Sequence, residues 1–144
     1  MDCRLIVDEP ASGAWNMAMD EALLQSAGRA GQGGCLRFYR WKQPTLSLGY
    51  FQRHEDRARH EPSRTCPVVR RTTGGGAIVH DRELTYSFTC HVPQRVRSNS
   101  LTLYDAFHTT LVDELATFGI TASLCPETVL RPYEAEPFLC FERR

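Results

Sequence analysis

The run Arg70-Arg71-Thr72-Thr73-Gly74-Gly75-Gly76-Ala77-Ile78-Val79-His80-Asp81 sets two cations, two hydroxyls and three glycines ahead of a short apolar stretch. With no Cβ at three successive positions, backbone amides can approach a phosphate or a carbonyl that side chains would otherwise block. The adjoining arginines add planar, charged donors that suit the polar end of a ligand. The run has neither the G-x-x-x-x-G-K-S/T of a P-loop nor the G-x-G-x-x-G of a dinucleotide fold. No helical pattern follows it to present an N-terminus to a phosphate. On composition alone, a glycine-rich hairpin without a ligand is the competing reading.

Such a loop needs an element on each side. Cys66-Pro67-Val68-Val69 reads as the end of one strand and Ala77-Ile78-Val79 as the start of another. Leu84, Tyr86, Phe88 and Cys90 alternate with Thr85, Ser87, Thr89 and His91, the period of a strand with one buried side. Upstream, Leu5-Ile6-Val7 is a short strand, and Ser12 caps a helix from Ala14 to about Ala27 that ends at Gly28. The Gly31-Gln32-Gly33-Gly34 turn resets the chain. Cys35 to Trp41 and Thr45 to Leu48 read as strands flanking Pro44, and together as a hairpin. Arg53 to Arg64 is rich in Arg, His and Glu, with His54, Arg57 and His60 available to one solvated face of a short helix. Leu101, Tyr104, Phe107, Leu111, Leu115 and Phe118 recur at helical spacing between Ser100 and Gly119, predicting an amphipathic helix. Ile120 to Leu124 reads as one more strand, and the prolines between Cys125 and Pro137 predict irregular structure. Strands dominate the middle with helices at either side. The fold class expected is α+β, with a mixed, largely antiparallel sheet flanked by helices.

The chain has 144 residues, of which 42% are apolar, enough for a single domain with its own core. Lys+Arg and Asp+Glu both number 17, so net charge gives no reason to expect nucleic acid or an anionic membrane as partner. No apolar stretch approaches the roughly 18 residues of a membrane span, and Met1-Asp2-Cys3-Arg4-Leu5 lacks a signal-peptide layout. A cytoplasmic protein is expected. The cysteines Cys3, Cys35, Cys66, Cys90, Cys125 and Cys140 are widely spaced and form no C-x-x-C pair, so no zinc site or disulfide framework is signalled. Most are expected to be reduced and buried.

The segment Arg70 to Asp81 resembles the signature loop of the biotin/lipoate protein ligase superfamily, specifically of the lipoate-protein ligases and octanoyltransferases. Three more segments agree in order and spacing. Asn16-Met17-Ala18-Met19-Asp20-Glu21-Ala22-Leu23-Leu24 is similar to the family's first helix. Pro44-Thr45-Leu46-Ser47-Leu48-Gly49-Tyr50-Phe51-Gln52 is similar to its second strand and the turn that follows. Glu83-Leu84-Thr85-Tyr86-Ser87-Phe88 is similar to the strand after the glycine loop. The wording from Trp41 to Gln52 and from Glu83 to Ser87 leans toward the octanoyltransferase branch. The resemblance implies the catalytic-domain fold of biotin and lipoate ligases, related to class II aminoacyl-tRNA synthetases. In that fold the sheet is a platform and the acyl chain lies under the glycine loop.

The activity implied is transfer of an octanoyl or lipoyl group from acyl carrier protein to a lysine of a lipoyl domain, in 2-oxoacid dehydrogenases or the glycine cleavage H protein. That reaction requires no cofactor. The alternatives are an ATP-dependent lipoate-protein ligase, with ATP and Mg, or a non-catalytic acyl-binding fragment. The substrate-binding residues implied are Arg70, Arg71, Thr73, Gly74, Gly75, Gly76, Ala77, Ile78, Val79 and His80. With an adenylate donor, Arg70 and Arg71 would meet the α-phosphate. With a thioester donor the glycine amides would polarise the carbonyl. Phe138-Leu139-Cys140-Phe141 resembles the segment that carries the catalytic cysteine of one octanoyltransferase branch, which implies Cys140 as catalytic. A cysteine among aromatics serves equally as a small buried hydrophobe. His80 and Asp81 match the motif and would fix the loop or orient a substrate. Asn16, Asp20 and Glu21 would only cap or solvate the first helix. The family also uses a lysine in a Lys-x-x-Gly-type segment, whereas the one lysine in this sequence is Lys42. The chain therefore reads as a single catalytic domain, residues 1–144, that is incomplete at its C-terminus.

Overall fold

The computed structural model describes residues 2–28, 33–92, 100–124 and 138–140, with only the backbone of residues 100 and 101. It divides into two compact units, Met1–His91 with Pro132–Arg144, and Val92–Arg131.

In the first unit, β1 (Cys3–Val7) leads into α1 (Gly13–Ala27), followed by β2 (Gly34–Tyr39) and β3 (Thr45–Leu48). Then come β4 (Val68–Arg70), β5 (Ile78–His80) and β6 (Thr85–Thr89). The α1 boundaries follow the sequence signals. Ser12 Oγ accepts from the Trp15 amide at 3.3 Å, and the Gly28 N–H closes the last turn on Leu24 O.

The strands form two mixed three-stranded sheets, in the orders β1-β2-β6 and β4-β3-β5. β2 pairs in parallel with β1 and antiparallel with β6, and β3 pairs in parallel with β4 and antiparallel with β5. The expected hairpin of Cys35–Trp41 with Thr45–Leu48 does not form. Trp41 bridges to Ala11 instead, and Pro44, which has no N–H, precedes a strand that joins the other sheet. β4 and β5 lie on opposite sides of β3, so the glycine loop crosses the end of β3 and is not a hairpin turn.

One face of the first sheet carries Cys35, Arg37 and Tyr39 of β2 opposite Thr89, Ser87 and Thr85 of β6. α1 covers this polar side, and Asp20 accepts from Arg37, Tyr39 and Ser87 there. β6 therefore does not have the single buried side that its alternation predicts. Thr89 on the polar side is buried, and Tyr86 and Phe88 on the other are half-buried. The second sheet has its own apolar core of Leu46, Leu48, Ala77 and Phe138, with Cys66, Val68 and Leu139 packed against it.

Between β3 and β4 the chain makes short 3-10 turns at His54–Arg59 and Glu61–Ser63. Arg57 is not merely solvated, because its Nη2 donates to the carbonyls of Ser63, Arg64 and Cys66. The second unit contains α2 (Ser100–Thr117), and Gly119 follows in the left-handed region at φ 76°. Residues 120–124 have no strand, and Ile120 and Leu124 are exposed. The proline-rich segment from Cys125 to Pro137 lies outside the described residues. Among the described cysteines, all unpaired, only Cys35 is buried. Cys66, Cys90 and Cys140, outside the strands, are half-buried, and Cys3 at the start of β1 is exposed. No helix among the described residues is long and apolar enough to cross a membrane.

Candidate functional site

A cavity of about 340 Å³ opens between α1, β2, β6 and the start of the glycine loop. Met17, Leu24, Trp41 and Ile78 give it apolar walls, and Arg71, Thr72 and Thr73 lie along it. An apolar pocket with a few convergent polar groups fits a ligand with a hydrocarbon body and a polar end. Of the residues expected to bind substrate, Arg71, Thr73, Ile78 and His80 line the cavity. Ala77 is fully buried in the second core, and Val79 is exposed.

The two arginines of the motif have different surroundings. Arg70 Nη1 donates to the carbonyls of Gly49, Tyr50 and Gln52 at 2.9, 2.9 and 2.6 Å, so Arg70 fastens the turn after β3 and does not line the cavity. Arg71 reaches under the loop. Its Nη1 donates to Ser47 O and Ser47 Oγ, at 2.9 and 2.6 Å, and its Nη2 to Gly76 O and Gly74 O, at 2.7 and 3.3 Å. Burial lowers the Arg71 pKa, opposed by the ionised forms of Cys140 and Tyr39.

Ser47, His80 and Glu83 continue this chain. Ser47 Oγ lies 2.7 Å from His80 Nε2, and His80 Nδ1 pairs with Glu83 Oε1. A guanidinium can only donate, so Ser47 Oγ accepts from Arg71, and of the two acceptors for its own proton His80 Nε2 at 2.7 Å is nearer than Ile78 O at 3.5 Å, while the Glu83 carboxylate can only accept from His80. The His80 proton then sits on Nδ1, facing Glu83. Burial lowers the His80 pKa below its ordinary value, opposed by Glu83 and assisted by Arg71. His80 also stacks on Trp41 at 3.9 Å, and Trp41 Nε1 donates to Thr85 Oγ1 at 2.8 Å. The trio resembles a nucleophilic triad in connectivity, but Ser47 is fully buried and holds Arg71. Its geometry orients the loop arginine.

The glycines differ in what surrounds them. Gly75 has φ +92°, a conformation that favours glycine. A Cβ on Gly49 would lie 2.0 Å from Gly75 O, and one on Gly76 would lie 2.7 Å from Cys140 N, whereas one on Gly74 would meet nothing within 4 Å. The amides of Gly74, Gly75 and Gly76 donate to no acceptor among the described residues. The loop thus combines close backbone approach with amides that donate to no acceptor among the described residues.

Cys140, remote in sequence, is brought to this loop. Ala77 bridges in parallel to Leu139, with Ala77 N donating to Phe138 O and Cys140 N to Ala77 O, both at 2.8 Å. Cys140 is half-buried and its backbone rests on Gly76. Lys42 is exposed in the connection between β2 and β3. No cluster of three or more metal-ligating side chains occurs among the described residues.

Arg37 carried no signal in the sequence, and Ser47, Gln52 and Glu83 stood there only as members of matching segments, with no role of their own. Glu83 stands three residues from His80, a spacing that could have been read, but the others act through partners far along the chain. Asn16 and Asp20, expected only to cap or solvate α1, hold Arg37 from inside.

Residues 12–131 match the family described as the lipoyl protein ligase A/B catalytic domain. The octanoyltransferase LipM of Oceanobacillus iheyensis is 49% identical over 80 residues, 54% of this chain and 29% of that protein. Its counterpart from Carboxydothermus hydrogenoformans is 53% identical over 78 residues, 53% of this chain and again 29% of that protein. Among solved structures, lipoate-protein ligase A bound with ATP superposes with TM-score 0.72 at 27% identity, covering 92% of this chain and 53% of that one. A bi-partite lipoate protein ligase of Thermoplasma acidophilum, studied with its E2 lipoyl domain, gives 0.66 at 29% identity, covering 87% and 49%. The chain spans under a third of those curated relatives and about half of those structures. By this match and by its mixed α+β fold, the chain belongs to the lipoyl protein ligase A/B catalytic domain family.

Proposed function

We propose that the chain provides the acyl-binding and acyl-accepting part of an octanoyltransferase that serves protein lipoylation. The observation that carries this reading is the docking of the Cys140 backbone on Gly76, beside an arginine-braced loop whose glycine amides donate to no acceptor among the described residues. The acyl chain lies along Met17, Trp41 and Ile78, with its carbonyl toward the loop. The Cys140 thiolate attacks the carbonyl of octanoyl-acyl carrier protein, and the glycine amides receive the oxyanion. The donor C–S bond breaks, the carrier thiol leaves with the proton given up by Cys140, and an octanoyl thioester remains on Sγ. A deprotonated lysine of a lipoyl domain, in a 2-oxoacid dehydrogenase or the glycine cleavage H protein, then attacks this thioester. An amide forms, the C–S bond breaks, and the amine proton returns the Cys140 thiol.

This route consumes no nucleotide, whereas a lipoate-protein ligase reading requires ATP with Mg and no thioester on the protein. The family's lysine has no counterpart in this sequence, where Lys42 is the one lysine. Loss of one oxyanion-stabilising group typically costs about 100- to 1000-fold in rate, so the 144-residue chain alone acylates itself more readily than it passes the group on. The test supplies octanoyl-acyl carrier protein and a lipoyl domain, with and without ATP and Mg, and follows the mass of both proteins. A thioester on the chain without ATP supports the reading. Modification of the lipoyl domain that depends on ATP and free octanoate, with no thioester, supports the ligase. Rapid ATP-independent turnover on the lipoyl domain shows that the lysine is dispensable.

A further inference from the structure

We infer that Gln52 is a positioning residue for Cys140, a role that rests on the acyl-transfer reading above. The turn after β3 is held at three points. Arg70 collects its carbonyls, the Tyr50 amide donates to Thr73 O in the glycine loop at 2.9 Å, and the Gly49 amide donates to Gln52 Oε1 at 3.0 Å. The last contact fixes the orientation of the Gln52 amide. An N–H must meet the oxygen, so the NH₂ group faces the other way. There Nε2 donates to Phe138 O at 2.9 Å. The same carbonyl accepts from Ala77 N at 2.8 Å, and two residues later Cys140 N donates back to Ala77 O at 2.8 Å. Gln52 and Ala77 therefore grip the Cys140 segment at one carbonyl from two sides. Phe138 is buried in the second core, which seats the segment, and the Gln52 tether sets where it lies along the loop. Sequence spacing gives no hint of this, because Gln52 and Phe138 are 86 residues apart.

Gln52→Glu separates the two halves of the role. The acid keeps an oxygen for the Gly49 amide, so the turn survives, but it sets an oxygen against Phe138 O and abolishes the tether. Gln52→Met removes both bonds without introducing charge, and is measured in parallel in case the acid perturbs folding. Two rates are followed by peptide mapping on the full chain: octanoylation of Cys140 by octanoyl-acyl carrier protein over a range of donor concentrations, and alkylation of Cys140 by iodoacetamide. Loss of a hydrogen bond of ordinary strength corresponds to about tenfold. The expected result is an octanoylation rate at saturating donor about tenfold lower, an unchanged half-saturating donor concentration, and faster alkylation of Cys140, while buried Cys35 stays unreactive. A residue that merely supports the fold would expose Cys35 as well or shift donor affinity, and either outcome overturns the inference. Equal octanoylation rates in wild type and both variants also overturn it while leaving the acyl-transfer reading intact. If wild-type Cys140 takes no octanoyl group, the acyl-transfer reading fails, and alkylation alone decides the tether: faster in the variants upholds it, and equal rates overturn it.

Discussion

Arg37 and Arg71 both turn their guanidinium groups into the protein, yet Arg37 meets two carboxylates and Arg71 meets none among the described residues. Arg37 is fully buried, with Nε on Asp8 at 2.7 Å, Nη1 on Asp20 at 2.8 Å, Nη2 on Asn16 Oδ1, and its plane over the Tyr39 ring at 4.1 Å. Asp20 also pushes the Tyr39 hydroxyl pKa up, after burial itself. Both carboxylates face this one cation, so the cluster is a locked strut between α1 and β2. Arg71 is half-buried and meets carbonyls and the Ser47 hydroxyl, so its charge is oriented without a carboxylate partner among the described residues. A desolvated cation on a cleft, with its pKa lowered by burial, is the kind of group that gathers at functional sites. The difference separates the scaffold from the site within one compact unit.

The largest effect expected from this contrast is on stability. Arg37→Met strands Asp8 and Asp20 without their cation and should cost about 3–5 kcal/mol in urea unfolding. A loss under about 1 kcal/mol, as for an exposed pair, would place Arg37 outside the scaffold. Arg71→Gln should act in the reverse sense. It weakens binding of an octanoyl ligand by about 1.5–3 kcal/mol, as expected for a charge-assisted contact, with a smaller stability loss than Arg37→Met. Calorimetry and unfolding together check it, and a large stability loss with unchanged affinity would make Arg71 a second strut.

The glycines sharpen the contrast within the loop itself. Gly76→Ala forces a Cβ to within 2.7 Å of Cys140 N and 2.9 Å of its Cα, backbone atoms that cannot swing aside. It should cost about 1–3 kcal/mol by overpacking and slow acylation of Cys140. Gly74→Ala, with open space around it, should stay within about 0.5 kcal/mol of wild type. Equal effects at both positions would mean that the Cys140 segment does not rest on the loop.

The smallest effect expected is on pH dependence. The His80 pKa is lowered in the folded chain, so the unfolded chain binds more protons and stability rises with pH through this window. The contribution is complete above about pH 6.5, the unfolded value, and declines as pH falls toward the folded one. His80→Gln should flatten that slope in unfolding measurements between pH 7 and pH 5. An unchanged slope would remove His80 from the chain that orients Arg71.

The sequence made the local elements legible. Ser12 and Gly28 bracket α1, the period of two marks β6, and helical spacing to Gly119 marks α2, because caps and periodicity are local signals. The loop between two strands was legible for the same reason. Illegible was the pairing that gives the loop its partners. β3 sits between β4 and β5, a register fixed only on folding, and this alone brings Ser47 between Arg71 and His80. Arg37 reads as an ordinary polar position of a half-buried strand, since Asp8 and Asp20 belong to other elements. The different duties of Arg70 and Arg71, adjacent in sequence, depend on which carbonyls each one meets.

If the loop and Arg71 serve a nucleophile at Cys140, that residue should take up an acyl group and depend on Arg71 to do so. The most direct measurement is residue-resolved mass spectrometry of the chain after incubation with octanoyl-acyl carrier protein, with the thioester quantified at every cysteine. The expected result is an octanoyl group on Cys140 that hydroxylamine removes and that falls sharply in Arg71→Gln, with Cys3, exposed and outside the site, left unmodified. Octanoylation of Cys3 in preference to Cys140, or a Cys140 adduct indifferent to Arg71, would contradict it.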